Sequence, residues 1–146
     1  MSRRRAAAAL LAFAALGAAC ASDQERYCAS VEEHQVELSE VLADGGSTGL
    51  IEAVEPLRKL AADAPPDISD EWSLVIDRIE ALDEALTVAG VDSATYDAEN
   101  PPADLSEEDR TRITNAASAL GAEETQRALG GLEQQALDVC QTPLVL

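Results

Sequence analysis

The chain has 146 residues, three cysteines and one histidine, and 28 acidic against 10 basic side chains give it a formal charge of −18. So acidic a surface repels phosphate backbones and anionic head groups, which excludes nucleic acid as a partner and excludes docking on a membrane through a polybasic face. The length admits one domain with a buried core, and the acidic excess alone needs no further reading than a well-solvated surface.

Residues 1–20 differ from everything after them. Arg3, Arg4 and Arg5 form a basic start, residues 6–19 carry no charge, and small residues lead into Cys20. A basic n-region, an apolar h-region and small residues before a cut are the pattern of a secretory signal peptide. The uncharged run is mostly alanine and shorter than the ~20 apolar residues that span a bilayer, so a permanent membrane helix is not expected. Gly17-Ala18-Ala19-Cys20 resembles a bacterial lipobox, with Leu16 one place earlier than the leucine usual there. The resemblance implies a lipoprotein-type leader over residues 1–19 and acylation of Cys20, palmitate included. It places an acidic helical domain, residues 20–146, on the cell envelope outside the cytoplasm, anchored to the membrane by lipid. Without the leader's arginines that domain carries seven basic against 28 acidic side chains, a charge of −21. An ordinary cleaved leader would make the protein secreted instead.

The first helix is expected over residues 23–43, where Tyr27, Val31, Leu38, Val41 and Leu42 recur at helical spacing. Asp44-Gly45-Gly46 should end it. Ser47 or Thr48 can cap a second helix carrying Leu50, Val54, Leu57 and Leu60. Pro56 removes one donor and crowds the preceding turn, so a kink or a late start is expected there. Ala64-Pro65-Pro66 should stop that helix. The third helix has the most regular stripe, Trp72, Val75, Ile76, Ile79, Leu82 and Leu86. Asp67 or Ser69 should cap it, Asp70 and Glu71 place negative charge on its positive end, and Gly90 is a natural stop. Trp72 reads as a packing anchor.

Residues 91–104 show no period and contain Asn100-Pro101-Pro102, which predicts a loop. Ser106 and Asp109 have capping-box spacing before a weakly apolar helix with Ile113, Ala116, Ala117 and Leu120, breaking near Gly121. A last helix carries Leu129, Leu132, Ala136, Val139 and Cys140. Gly130-Gly131 in its middle costs about 2 kcal/mol against alanines, which a close helix crossing would justify. Pro143 argues against helix in residues 141–146. No strand pattern appears, so the fold class is all-α, a bundle of four to five helices.

With Cys20 assigned to the lipid, Cys28 and Cys140 remain. Outside the cytoplasm such a pair is normally a disulfide. One lies near the start of the first helix of the domain and the other near the end of the last, so a bridge would close nearly the whole domain. That constraint matters in a core rich in alanine and poor in aromatics.

Several of these residues also carry a resemblance. Tyr27-Cys28, Ala64-Pro65-Pro66-Asp67-Ile68 with Glu71-Trp72 on the next helix, and the late Cys140 are similar to features of small secreted or lipid-anchored helical proteins of high-GC Gram-positive bacteria. The preference for arginine over lysine suits such a genome. The resemblance implies location and helical fold, with no assigned activity and no catalytic residue to carry over.

The chain offers little for catalysis. A Ser-His-Asp arrangement would need His34, and no G-x-S-x-G accompanies it. Cys28 and His34 are six apart, roughly 120° around a helix. No glycine-rich phosphate loop, H-E-x-x-H or C-x-x-C occurs. His34 and Glu37 lie one turn apart and have the chemistry to chelate a divalent metal. The fragment resembles one used by lipid-anchored iron-binding proteins, and the likeness ends with it. His34 also falls on the apolar stripe between Val31 and Leu38, which favours a hydrogen-bonded histidine at the core's edge. Asp92, Asp97 and Glu99 lack the spacing of a calcium loop. The expected function is that of a non-enzymatic envelope lipoprotein binding a protein or small ligand, with no cofactor. The alternative is a metal- or solute-binding lipoprotein using His34 and nearby carboxylates.

Overall fold

The structure, a computed structural model, describes the backbone of residues 15–44 and 49–146. Residues 1–14 of the expected leader, the side chain of Cys20, the Gly45-Gly46 stop and the caps Ser47 and Thr48 lie outside the described residues, whereas the backbone of residues 15–19 already belongs to the first helix. The described residues form six helices and no strand, an all-α bundle. They are α1 (Ala15–Asp44), α2 (Gly49–Glu52), α3 (Val54–Asp63), α4 (Ser69–Val88), α5 (Glu107–Leu120) and α6 (Glu123–Cys140). None of them is long and apolar enough to cross a membrane.

Six helices replace the expected four to five because the second divides. Pro56 is the third residue of α3 and has no N–H to return to Glu52, so the ladder breaks at Ala53. Ala53 still donates to Gly49 and accepts from Leu57, which keeps α2 and α3 in close succession. Ala64 is extended, as a residue before proline prefers, and α3 stops there.

The expected side-chain cap of α4 does not form. A 3₁₀ turn, Pro66–Ile68, runs directly into the helix, and Ser69 is already helical. Its hydroxyl donates backwards to the Pro66 carbonyl at 2.9 Å, and Asp67 makes no cap bond either. Asp70 and Glu71 do occupy the first turn. At the other end Gly90, at φ +71°, permits a Schellman closure: Gly90 N–H bonds Thr87 and Val91 N–H bonds Leu86.

α4 is the axis of packing. Its first half buries Trp72, Val75 and Ile79 in a cluster with Tyr27, Val31 and Leu38 of α1, Leu57 and Leu60 of α3, and Ala128, Leu132 and Ala136 of α6. Its second half buries Leu82, Ala85 and Leu86 against Ile113 of α5. Ile76, on the expected stripe, is only half-buried. The irregular segment 91–104 is not idle, because Val91 and Tyr96, with Leu105 just beyond, cover this second cluster. α5 begins as expected: Asp109 N–H donates to the Ser106 hydroxyl at 3.0 Å.

The buried face of α6 is Thr125, Ala128, Leu132 and Ala136, while Leu129, Val139 and Cys140 lie half-buried at its margin. The expected close crossing at Gly130-Gly131 is absent. Both are exposed, and a Cβ on either would meet nothing within 4 Å. Nothing in the structure explains the two glycines.

Candidate functional site

The residues with chemistry concentrate where the two ends of the domain meet. Cys28 of α1 and Cys140 of α6 are joined by a disulfide across 112 residues, with Cα atoms 5.1 Å apart. The sequence expectation for this pair holds. Beside the bridge the Gln24 amide donates to the Val139 carbonyl, 3.4 Å away. Gln141 then takes a left-handed conformation, φ 57°, ends α6 and turns the chain back.

Residues 142–146 follow as a strap between α1 and α6. The Gln35 amide donates to the Pro143 carbonyl at 2.7 Å, Leu144 N–H donates to Glu133 Oε2 at 3.0 Å, and Leu146 N–H donates to Ser39 Oγ at 2.8 Å. Leu144 is buried in the main core. From the sequence, Pro143 predicts only that residues 141–146 are not helical. The one signal of a strap was Leu144, an apolar residue just past Pro143, and a single residue has no period to read.

His34 and Glu37 are brought together as their spacing requires, with His34 Nδ1 3.2 Å from Glu37 Oε2. His34 is buried and Glu37 exposed, one turn along α1 from Ser30 and Val31, which are also buried. The imidazole thus meets a carboxylate at the edge of the core, a hydrogen-bonded histidine of the expected kind. Among the described residues no group of three or more His, Cys, Asp or Glu is placed to hold a metal ion.

An acidic recess of about 470 Å³ lies at the far end of the bundle, between the end of α4 and the start of α5. Asp92 and Asp97 line it with Asp104 and Asp109, whereas Glu99 does not. Three of these carboxylates bond their own surroundings. Asp92 accepts from Ala94 N–H at 2.9 Å, and Asp97 accepts from Glu99 N–H and the Asn100 amide at 2.8 and 2.9 Å. Asp109 accepts from the Ser106 hydroxyl and from Arg112 at 2.6 Å each. The Asn100 amide, then Glu99 N–H, holds Asp97 below the usual carboxylate range, and the Ser106 hydroxyl, then Arg112, does the same for Asp109. These are groups shaping turns and a helix start.

A buried polar pair lies in the main core and was not legible in the sequence, where both members read as apolar. Tyr27 and Trp72 are 0% and 1% exposed, and neither the phenol oxygen nor the indole nitrogen meets a partner in hydrogen-bonding geometry. Burial pushes the Tyr27 phenol up to about 12, and the Glu133 charge adds to the rise. Glu133 therefore acts on the core phenol while also holding the strap. No protein-family model, curated protein or solved structure matches this chain.

Proposed function

We propose that this protein is a non-catalytic binding domain of the cell envelope, held outside the cytoplasm by a lipid on Cys20 and presenting its helical surface to a protein or small ligand. The observation that carries this reading is the Cys28–Cys140 disulfide, which ties the first helix to the last. Such a bridge persists in an oxidising compartment and is rare inside the cell. The side chains with catalytic chemistry support a non-catalytic role, since His34 is committed to Glu37 and the recess carboxylates to their own loop and helix start. Metabolic labelling with palmitate, with Cys20→Ser as control, tests the tether. Label and membrane association should both disappear in the variant. A variant that is processed and stays in the membrane fraction refutes the lipid anchor.

The His34–Glu37 contact favours one second reading, a divalent-metal site on α1. Micromolar zinc, copper or iron separates the two. On the binding-domain reading the melting temperature does not move and His34→Gln melts like the parent. A specific site at a hundred times its dissociation constant would add about 2.7 kcal/mol, and that gain would vanish in His34→Gln.

A further inference from the structure

Cys20, proposed above to carry the lipid, does not precede the fold but stands on it. α1 runs without a break from Ala15 to Asp44 and so passes through that position. The helix is tied down almost at once. Asp23 pairs with Arg26 at 2.6 Å, the Gln24 amide reaches the Val139 carbonyl at 3.4 Å, and Cys28 is bonded to Cys140. Only residues 21–23 separate Cys20 from the first of the ties to α6. As helix, the four steps from Cys20 to Gln24 span about 6 Å; fully extended they span about 14 Å at most. No room is left there for the flexible linker that would let a domain swing.

The same geometry gives the bundle two unlike ends. α6 runs back along its neighbours, with Glu124 in its first turn 3.9 Å from Arg78 of α4 and Cys140 in its last turn on Cys28 of α1. The end near the anchor therefore holds the start of α1, the last turn of α6 and the start of α4, whose Trp72 shares a cluster with Tyr27. α4 leads away from it. Its 20 residues rise about 30 Å, up to the recess between its own end and α5.

Charge decides how the bundle stands on so short a link. Lying along α1 would press Glu32, Glu33, Glu37 and Glu40, all exposed, onto the head groups. Anionic lipids repel those carboxylates, and the net negative charge opposes contact whichever flank is turned to the surface.

We infer that the domain is presented upright on the membrane in a fixed orientation, its Cys28–Cys140 end facing the lipid head groups and its α4–α5 end about 30 Å farther out. This inference rests on the Cys20 tether and adds which end the bilayer takes and which end a partner can reach.

The test reconstitutes the lipidated, disulfide-bonded chain in vesicles of phosphatidylcholine and phosphatidylglycerol whose head groups carry an energy-transfer acceptor. A donor dye is attached through Ser73→Cys, in the exposed first turns of α4, or through Ala98→Cys, in the exposed loop beyond its end. Transfer from position 73 should be at least twice that from position 98. Inserting twelve glycines and serines between Ser22 and Asp23 adds a flexible reach of about 20 Å and should bring the two efficiencies together. Equal transfer from both positions with the natural link, stronger transfer from position 98, or a difference that survives the insertion overturns the upright presentation. The tether itself stands in those cases, because the chain still floats with the vesicles. A chain that does not float and transfers from neither position overturns the tether and this inference with it.

Discussion

Removing the Cys28–Cys140 bridge has an effect that is calculable from the length of chain it closes. The bridge spans 112 residues. In the loop-entropy model a closed loop of that size loses about 16 cal/mol/K in the unfolded chain, or about 4.8 kcal/mol at 25 °C, an upper figure. Unfolding a domain of this size carries an entropy near 250 cal/mol/K, so each kcal/mol moves the melting temperature by about 4 °C. The double variant Cys28→Ser, Cys140→Ser should therefore melt about 15–20 °C below the parent. It should also show a larger urea m-value, because the released chain exposes more surface when unfolded. Both serines are required, since a single one leaves a free thiol. The assay is thermal and urea unfolding by far-UV circular dichroism at fixed pH. A loss under about 2 kcal/mol with an unchanged m-value would show that the bridge does not act by restricting the unfolded chain.

Three further outcomes are expected. Trp72→Ala should cost about 3–5 kcal/mol in urea unfolding, because the indole is 1% exposed among residues of three other helices; efficient acrylamide quenching of its fluorescence in the parent would contradict that burial. Gly131→Ala should raise stability by up to about 1 kcal/mol, as its Cβ meets nothing within 4 Å, and a loss on urea titration would reveal a contact at that face. The folded-state value of Tyr27 is raised from 10.0 to about 12, so above pH 10 the unfolded chain gives up a proton that the folded one keeps. Stability is then complete below pH 10 and falls as pH rises towards 12, by about 1–3 kcal/mol. Tyr27→Phe should remove that part of the alkaline loss, and identical pH profiles for the two proteins would contradict the assignment.

The sequence by itself determined whatever depends on short-range chemistry. Residues three and four apart share a helix face whatever the tertiary context, so the stripes of α1 and α4 and the meeting of His34 with Glu37 were legible. The stops before Pro65 and at Gly90 and the Ser106 cap follow from backbone rules a few residues long. The Cys28–Cys140 pairing was legible for a different reason: once Cys20 was set aside, two cysteines left one possible bridge.

Only the tertiary structure decided the rest, because those features depend on which distant groups come into contact. The Asp67 and Ser69 caps failed because a 3₁₀ turn fed α4 directly, so neither residue stood at a free helix start. Gly130-Gly131 suggested a crossing, but rotation of α6 onto Thr125, Ala128, Leu132 and Ala136 turned both glycines to solvent. The Tyr27–Trp72 pair and the strap join residues 45 or more than 100 positions apart. No local pattern encodes such pairs, since they arise when α1, α4 and α6 bury their apolar faces together and bring Gln35, Ser39 and Glu133 around the returning chain.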